Sequence, residues 1–336
     1  MVNAFACHQP KGPLTSFDYK LPDIKPDEVD IAVKYCGICH SDICMINNEW
    51  GVSEYPLVPG HEVVGVVSYV GNDVENLAEG QWVGLGWHAH YCNHCNQCEV
   101  GDHNLCSQAQ GTIVSRHGGF ADKVRAQAAS VIPIPEGMDY AAIPPLFCAG
   151  ITVFNPMVQF DIKPTDKVAV VGIGGLGHLA LQFLHSWGCE VTAFTTSEDK
   201  KKEALEMGAD HALNTRSEAD LEKSTGAFDF ILVTINVALD WNAYLTLLAP
   251  KGRLHFVGAP LEPLNLQALS MIPKQLSVSG SPVGSPTTIK RMLAFAKKHD
   301  IKPIVETYPF SEVNQAIERL NAGDVRYRVV LSHDVN

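Results

Sequence analysis

Val170-Val171-Gly172-Ile173-Gly174-Gly175-Leu176-Gly177 reads as the end of a strand, the pattern G-x-G-x-x-G, and the opening of a helix. In such a turn Gly172 allows the sharp bend, Gly174 admits a pyrophosphate against the backbone, and Gly177 lets helix pack closely on strand. The helix N-terminus, around Gly175 and Leu176, then offers unpaired N–H groups and the positive end of its dipole to phosphate. A glycine pattern alone describes any tight turn. Here an apolar run over residues 168–171 precedes it and a helical pattern over residues 176–187 follows, the context that a dinucleotide-binding turn requires. Further strands are expected at residues 191–194, 228–233 and 253–257, with helical patterns between them. That alternation implies a parallel sheet covered by helices on both faces.

Upstream the texture differs. Residues 1–148 carry short β-like runs at 29–33, 63–69 and 82–85, punctuated by Gly and Pro, which suggests a β-rich domain with long loops. Beyond Ser285, helices are expected at 288–298 and 312–321, the second with Ser311 as its cap and Gly323 just past its end. A last strand over 326–331 has no evident partner nearby in sequence and is expected to return to the N-terminal domain. The chain is thus read as α/β with two domains, residues 1–148 plus 287–336 and residues 149–286.

Composition narrows the function. A formal charge of −12 argues against a general nucleic-acid surface. The longest apolar stretch, residues 168–184, carries four glycines, a histidine and a glutamine, so no membrane span is expected. Residues 1–10 show no basic region followed by an apolar core, and ten cysteines without such a leader point to a reducing, cytoplasmic setting.

Four of those cysteines, Cys92, Cys95, Cys98 and Cys106, are spaced C-x2-C-x2-C-x7-C among Asn93, His94, Asn96, Gln97 and Glu99. A disulfide cluster would be reduced in a cytosol, and core cysteines rarely occupy so polar a run. Four thiolates converging on one tetrahedral Zn2+ with no open position is the form of a structural site, in a lobe over residues 88–108.

The end of the second cofactor-domain strand bears on the choice of nucleotide. It reads Thr195-Thr196-Ser197-Glu198-Asp199-Lys200, where an NAD site usually places a carboxylate for the ribose 2′-OH. Hydroxyls and Lys200 suit a 2′-phosphate instead, although Lys200 to Lys202 also read as a solvated helix face diluted by Glu198 and Asp199. NADP(H) is the expected cofactor.

Three further motifs hold scattered ligand chemistry: residues 36–42 (CGICHSD), 59–62 (PGHE) and 147–150 (FCAG). Together with the cysteine quartet, GGFAD at 118–122, the cysteine before AGITVF, VGIGGLGHLALQ and the closing DVRYR, they give the chain its resemblance over essentially its whole length. It resembles the zinc-containing medium-chain dehydrogenases/reductases, nearest the cinnamyl-alcohol dehydrogenase-like branch of the alcohol dehydrogenases.

That resemblance implies a GroES-like β-rich catalytic domain, a Rossmann domain, and two zinc ions per chain. Cys39, His61 and Cys148 correspond to the catalytic-zinc ligands, with Glu62 close behind the metal and Asp42 accepting a hydrogen bond from the ligand histidine. Ser41 corresponds to the hydroxyl that handles the substrate proton, and His40 to a side chain at the cofactor phosphates. The position where many relatives carry a relay histidine is Cys44, a departure that leaves the outer relay unassigned. Trp50, Trp87 and His88 correspond to substrate-pocket walls, Trp50 alternatively being core. Thr152, Thr234, Val257, Gly258, Ser279 and Ser281 are expected along the cofactor, and Arg326 at its pyrophosphate with Arg328 as a competitor. The implied activity is reversible hydride transfer between NADP(H) and a primary alcohol or aldehyde, in a homodimer or homotetramer. Rival readings are an NADPH-binding sensor without turnover and an NAD-dependent polyol or formaldehyde dehydrogenase. A zinc-free reductase of the same superfamily is disfavoured by the two cysteine-containing sets.

Overall fold

The computed structural model describes Met1–His333; residues 334–336, the end of the expected catalytic domain, lie outside the described residues. The chain divides into one unit of residues 1–151 together with 283 onward, and a second unit, Thr152–Pro282.

The first unit begins with an antiparallel pair, β1 (Val2–Cys7) and β2 (Leu14–Tyr19). Its main sheet is organised on β3 (Glu28–Ile38), whose eleven residues pair along one side with β4 (Glu62–Val70). The other side of β3 is shared: β8 (Lys123–Gln127) pairs with its start and the last strand, Arg328–Ser332, with its end. β5 (Trp82–Leu85) and β9 (Val131–Pro133) continue outward from β4. The small strands β6 (His88–His90) and β7 (Gln110–Gly111) flank the cysteine quartet. Alternate β-branched residues of β3 and β4, Ile31, Val33, Val63 and Val67 among them, are buried in one core with Phe120 and Leu331. The last strand does return to the N-terminal sheet, but it also has the near partner that its sequence did not reveal, a parallel strand Val305–Pro309. Ser311 does not cap the last helix. It lies inside a 3-10 turn, Phe310–Glu312, and the helix Val313–Ala322 starts after Glu312.

The second unit is a six-stranded sheet with every neighbouring pair parallel. In chain order its strands are β10 (Lys167–Val171), β11 (Glu190–Thr195), β12 (His211–Asn214), β13 (Phe228–Val233), β14 (Leu248–Phe256) and β15 (Ser277–Gly280), and their spatial order is β12-β11-β10-β13-β14-β15. This is the doubly wound dinucleotide-binding order, in which the chain reverses direction between β10 and β13 and ligands collect at the carboxyl ends of the strands. β12 escapes sequence reading because its four residues carry no apolar run and none is fully buried.

Beside the edge of this sheet, Ser279 and Ser281 serve a buried histidine. His255 is fully buried, with Ser279 Oγ and Ser281 Oγ each 2.9 Å from one of its ring nitrogens. The rings of Phe160 and Phe230 lie 4.8 and 5.6 Å from its ring centre. Burial, and after it the Arg253 charge, lowers this imidazole to about 4. Because the folded value is depressed, the neutral ring contributes stability that is complete above the ordinary histidine range and is lost as the pH falls toward 4. We expect the urea unfolding free energy to drop by about 3 kcal/mol between pH 6.5 and 4 through this group. His255→Gln should lack that component, and equal pH slopes in the two proteins would refute the assignment.

Candidate metal and cofactor sites

The end of β3 runs directly into helix α1 (His40–Asn47), with Cys39 at the junction. Asp42 fixes that junction: its Oδ2 accepts the Cys39 N–H at 2.9 Å, and its Oδ1 accepts the Gly60 N–H at 2.8 Å and lies 2.9 Å from His61 Nδ1. Gly60 has φ +99°, and a Cβ there would lie 2.7 Å from the Phe120 amide nitrogen, so only glycine makes the turn that delivers His61. With Nδ1 held by Asp42, His61 turns Nε2 toward Cys148 Sγ at 3.3 Å. Cys148 follows the 3-10 turn Pro144–Phe147 and brings its Sγ to 3.8 Å from Cys39 Sγ. Cys39, His61, Glu62 and Cys148 are all buried, and each offers a ligand atom within 4.8 Å of the others. Cys36 stands outside this group, as does Cys44.

Glu62 has a partner that sequence reasoning missed. Its Oε1 pairs with Arg328 Nη2, which also donates to the Ile38 carbonyl at 3.1 Å. Arg328 is 4 % exposed, so it is no competitor for a cofactor phosphate. The available signal was an arginine opening a strand whose other residues are apolar or small, a position that demands a buried counter-charge. Gly37 sits opposite Glu62 in the β3–β4 pairing, and a Cβ there would fall 2.0 Å from Glu62 Oε2.

The electrostatics of the group are those of a cation site. The contact with Cys148 pulls the Cys39 thiol well below its ordinary value, outweighing burial with help from the Arg328 and His61 charges. The same contact, with burial, pushes Cys148 well up. Burial alone would lower His61, but the Asp42 carboxylate outweighs it and holds the imidazole high. Burial raises Glu62 to about 7 against the pull of Arg328. Its Oε2 is buried without a hydrogen-bond partner. Two thiols, one oriented imidazole and an unsatisfied carboxylate oxygen suit a borderline-soft dication such as Zn2+.

The quartet is similarly gathered. Cys92 Sγ lies 3.9 Å from Cys98 Sγ and 3.6 Å from Cys106 Sγ, with Cys95 in the same group. Sulfurs at the corners of a tetrahedron with Zn–S bonds of about 2.3 Å are separated by about 3.8 Å. The His94 amide holds Cys92 down to about 6, whereas burial and Cys95 push Cys98 up to about 12. Four neighbouring thiolates are therefore disfavoured without a cation among them, and the residues fit structural zinc.

In the second unit, the three glycines of the turn behave differently. Gly172 has φ +91°, and at Gly177 a Cβ would fall 2.0 Å from the Gly172 carbonyl oxygen. A Cβ on Gly174 would meet nothing within 4 Å, so its backbone faces open space. That space is a cavity of about 350 Å³ lined by Gly172, Gly174, Thr195, Thr196, Lys200 and Thr234, among others. Thr234 Oγ1 donates within reach of the Val171 and Gly172 carbonyls, at 2.9 and 2.7 Å, and holds the turn. Thr195 Oγ1 is buried without a partner. Ser197 instead caps the helix Glu198–Glu206, accepting the Lys200 N–H, and Lys201 pairs with Glu198. An open glycine backbone and an unsatisfied hydroxyl at the strand end fit a phosphorylated dinucleotide.

The remaining expected residues scatter. The Trp87 ring stands 5.0 Å from His61 and 5.9 Å from Trp50, so these three share one wall. His88 lies against Tyr91, toward the cysteine lobe, and burial lowers it to about 4. His40 and Ser41 open α1, His40 exposed and Ser41 half-buried. Thr152 is buried in the helix Ala149–Gln159, and Gly258 packs against the Ile235 backbone beside Val257. The Arg326 amide donates to Glu306, and its guanidinium lies over the Tyr327 ring.

Residues 25–136 match the alcohol dehydrogenase GroES-like domain, and residues 175–298 match the zinc-binding dehydrogenase domain. The chain is 54% identical, over the full length of both proteins, to the aldehyde reductase AdhA of Synechocystis sp.. Its fold superposes on a cinnamyl alcohol dehydrogenase of Sorghum bicolor with a TM-score of 0.94 and 36% identity, covering 98% of this chain and 97% of that one. A cinnamyl alcohol dehydrogenase of Helicobacter pylori complexed with NADP(H) gives a TM-score of 0.90 and 30% identity, covering 99% and 98%. The chain therefore belongs to the zinc-binding alcohol dehydrogenase family of medium-chain dehydrogenases/reductases.

Arg328→Leu strands Glu62 as a buried, uncompensated charge and should destabilise the protein by about 3–5 kcal/mol in urea unfolding. Adding Glu62→Gln should recover much of that loss; additive losses in the double variant would show that the two side chains are not coupled.

Proposed function

We propose that this chain is an NADP(H)-dependent aldehyde reductase and alcohol dehydrogenase, acting reversibly on small or flat primary aldehydes and alcohols. The observation that carries the reading is the buried set Cys39, His61, Cys148 with the unsatisfied Glu62 Oε2, a donor group that binds a cation while leaving a position for substrate. The family relative named as an aldehyde reductase supports the substrate class, and the H. pylori relative solved with NADP(H) supports the nucleotide.

We assign Cys39, His61 and Cys148 to the catalytic zinc, and Cys92, Cys95, Cys98 and Cys106 to the structural one. The catalytic domain is taken as residues 1–148 and 287–336, and the cofactor domain as residues 149–286. When bound, zinc supplies Lewis-acid polarisation of the substrate oxygen and the nicotinamide supplies or receives the hydride. Asp42 keeps His61 in the tautomer that leaves Nε2 for the metal. Ser41 carries the proton to or from the substrate oxygen, and Trp50 and Trp87 wall the substrate side of His61. His40 meets the cofactor phosphates. Burial and the Glu49 carboxylate push the Cys44 thiol up to about 12, which makes it a poor proton shuttle near neutrality and leaves the outer relay to solvent or His40. Gly172, Gly174 and Gly177 seat the pyrophosphate, while Thr195, Thr196 and Lys200 receive the 2′-phosphate.

Cys39→Ser should lower NADPH-dependent reduction of an aromatic aldehyde by at least about a thousandfold, a loss of about 4 kcal/mol in transition-state stabilisation, with NADPH affinity largely kept. Parallel loss of binding and turnover would remove the catalytic-zinc assignment. Thr195→Asp places a carboxylate beside the 2′-phosphate, a repulsion of about 4 kcal/mol at 4 Å before screening. The NADPH/NADH preference in kcat/KM should swing toward NADH by at least about tenfold; an unchanged ratio would sink the strand-end argument.

A further inference from the structure

A third group of donors lies outside both zinc clusters. His40, Cys44 and Glu49 each present a ligand atom, and the three atoms lie within 4.8 Å of one another. The backbone puts them there. His40 and Cys44 are one helical turn apart on α1, so their side chains share a face. Asn48 then ends the helix in the left-handed conformation, with φ 55°, and the Glu49 N–H returns to the Cys44 carbonyl at 2.9 Å. This reversal folds Glu49 back over Cys44. Asn47 Nδ2 donates to Glu49 Oε1 at 2.8 Å and fixes one carboxylate oxygen. Cys44 is buried at the base of the group, whereas His40 and Glu49 are exposed, so the site opens to solvent.

We propose that His40, Cys44 and Glu49 form a third metal site, taking Zn2+ or a softer dication such as Cd2+, and that its occupation inhibits the enzyme. One thiolate, one imidazole and one carboxylate are the donor types such ions take, with a solvent molecule completing four-coordination. All three ligand atoms lie within 4.8 Å of one another, the same bound that holds for the other two groups. His40 is an exposed side chain that can adjust on binding, while Asn47 leaves the second Glu49 oxygen to face the ion. With a single thiolate and two exposed donors, the site is weaker than the quartet, and it fills only when zinc is in excess. The inhibitory role rests on the function proposed above, in which His40 meets the cofactor phosphates; a metal bound to its imidazole withdraws that side chain. The metal count does not depend on that reading.

The experiment is equilibrium dialysis of the zinc-replete holoenzyme against increasing Zn2+, with metal counted per chain. The intact protein should take up one equivalent beyond its resident zinc, Cys44→Ser should take up none, and Glu49→Gln should bind it at least about tenfold more weakly. With Cd2+ as probe, a thiolate-to-metal charge-transfer band should appear in the intact protein and be missing in Cys44→Ser, whose spectrum also subtracts exchange at the resident sites. Glu49→Gln should keep the basal turnover and lose the sensitivity to excess zinc. No additional equivalent in the intact protein, or one kept by both variants, overturns the site. An additional equivalent that leaves turnover unchanged overturns the inhibitory role alone.

Discussion

The buried pair of Glu62 and Arg328 organises the first unit. Two charges withdrawn from water gain from each other only when the geometry is good and their remaining groups are satisfied. Here Glu62 opens β4 directly after His61, and Arg328 opens the final strand. Arg328 also donates to the carbonyl of Ile38, the residue before Cys39, so one guanidinium ties a carboxylate to the backbone that carries a metal donor. Gly37 clears the room the carboxylate needs. The pair explains why a unit that begins at Met1 is completed by the chain's last strand. Without Arg328, the buried carboxylate beside His61 loses the largest of the charges that hold it down, and only His61 remains to offset it.

Both cysteine sets share a second constraint, the cost of neighbouring thiolates. In each, one sulfur is held low and another pushed high, the sign of donors competing for one proton. A dication removes the competition and converts the arrangement into binding free energy. The sets differ in what remains open. The quartet is four like donors, which closes a tetrahedron. The other set has three Cys and His donors and a carboxylate with one oxygen paired to Arg328 and the other unsatisfied, a mixed set in which the carboxylate oxygen is the donor that can exchange.

Much of this was legible in the sequence, and the exceptions have physical reasons. The cofactor unit was readable because fully buried parallel strands are continuous apolar runs, and the glycine turn has a fixed grammar; β13 covers the residues expected for it. β12 was missed because a short edge strand with half-buried residues has no such run. The strand Val305–Pro309 was missed for a similar cause, since it carries no alternation and ends in proline. Cys39, His61 and Cys148 stood far apart and were joined only by resemblance, because convergence of three loops is not a local property. Arg328 was noticed for its charge and given the wrong kind of partner, since polarity in a sequence shows that a counter-group is needed but not which one. Ser279 and Ser281 carried no sign of His255, whose burial depends on the packing of Phe160 and Phe230 around it.

At the glycine turn, the form of the cavity limits what the protein can choose. Gly172 and Gly177 are required by the chain's own packing, and no ligand is needed to explain them. Gly174 is different, because a side chain there would collide with nothing in the protein; its bareness is useful only to something that approaches from outside. The same logic applies to Thr195, whose buried hydroxyl lacks a partner in a structure where most buried hydroxyls have one. Both unsatisfied features line one cavity, with Lys200 as its cation and no carboxylate in its lining. A ribose 2′-hydroxyl would find there no acidic acceptor, whereas a 2′-phosphate would find a hydroxyl donor and a positive charge. In the proposed function, selection of the phosphorylated nucleotide would rest as much on the carboxylate that is missing from this lining as on the lysine that is present.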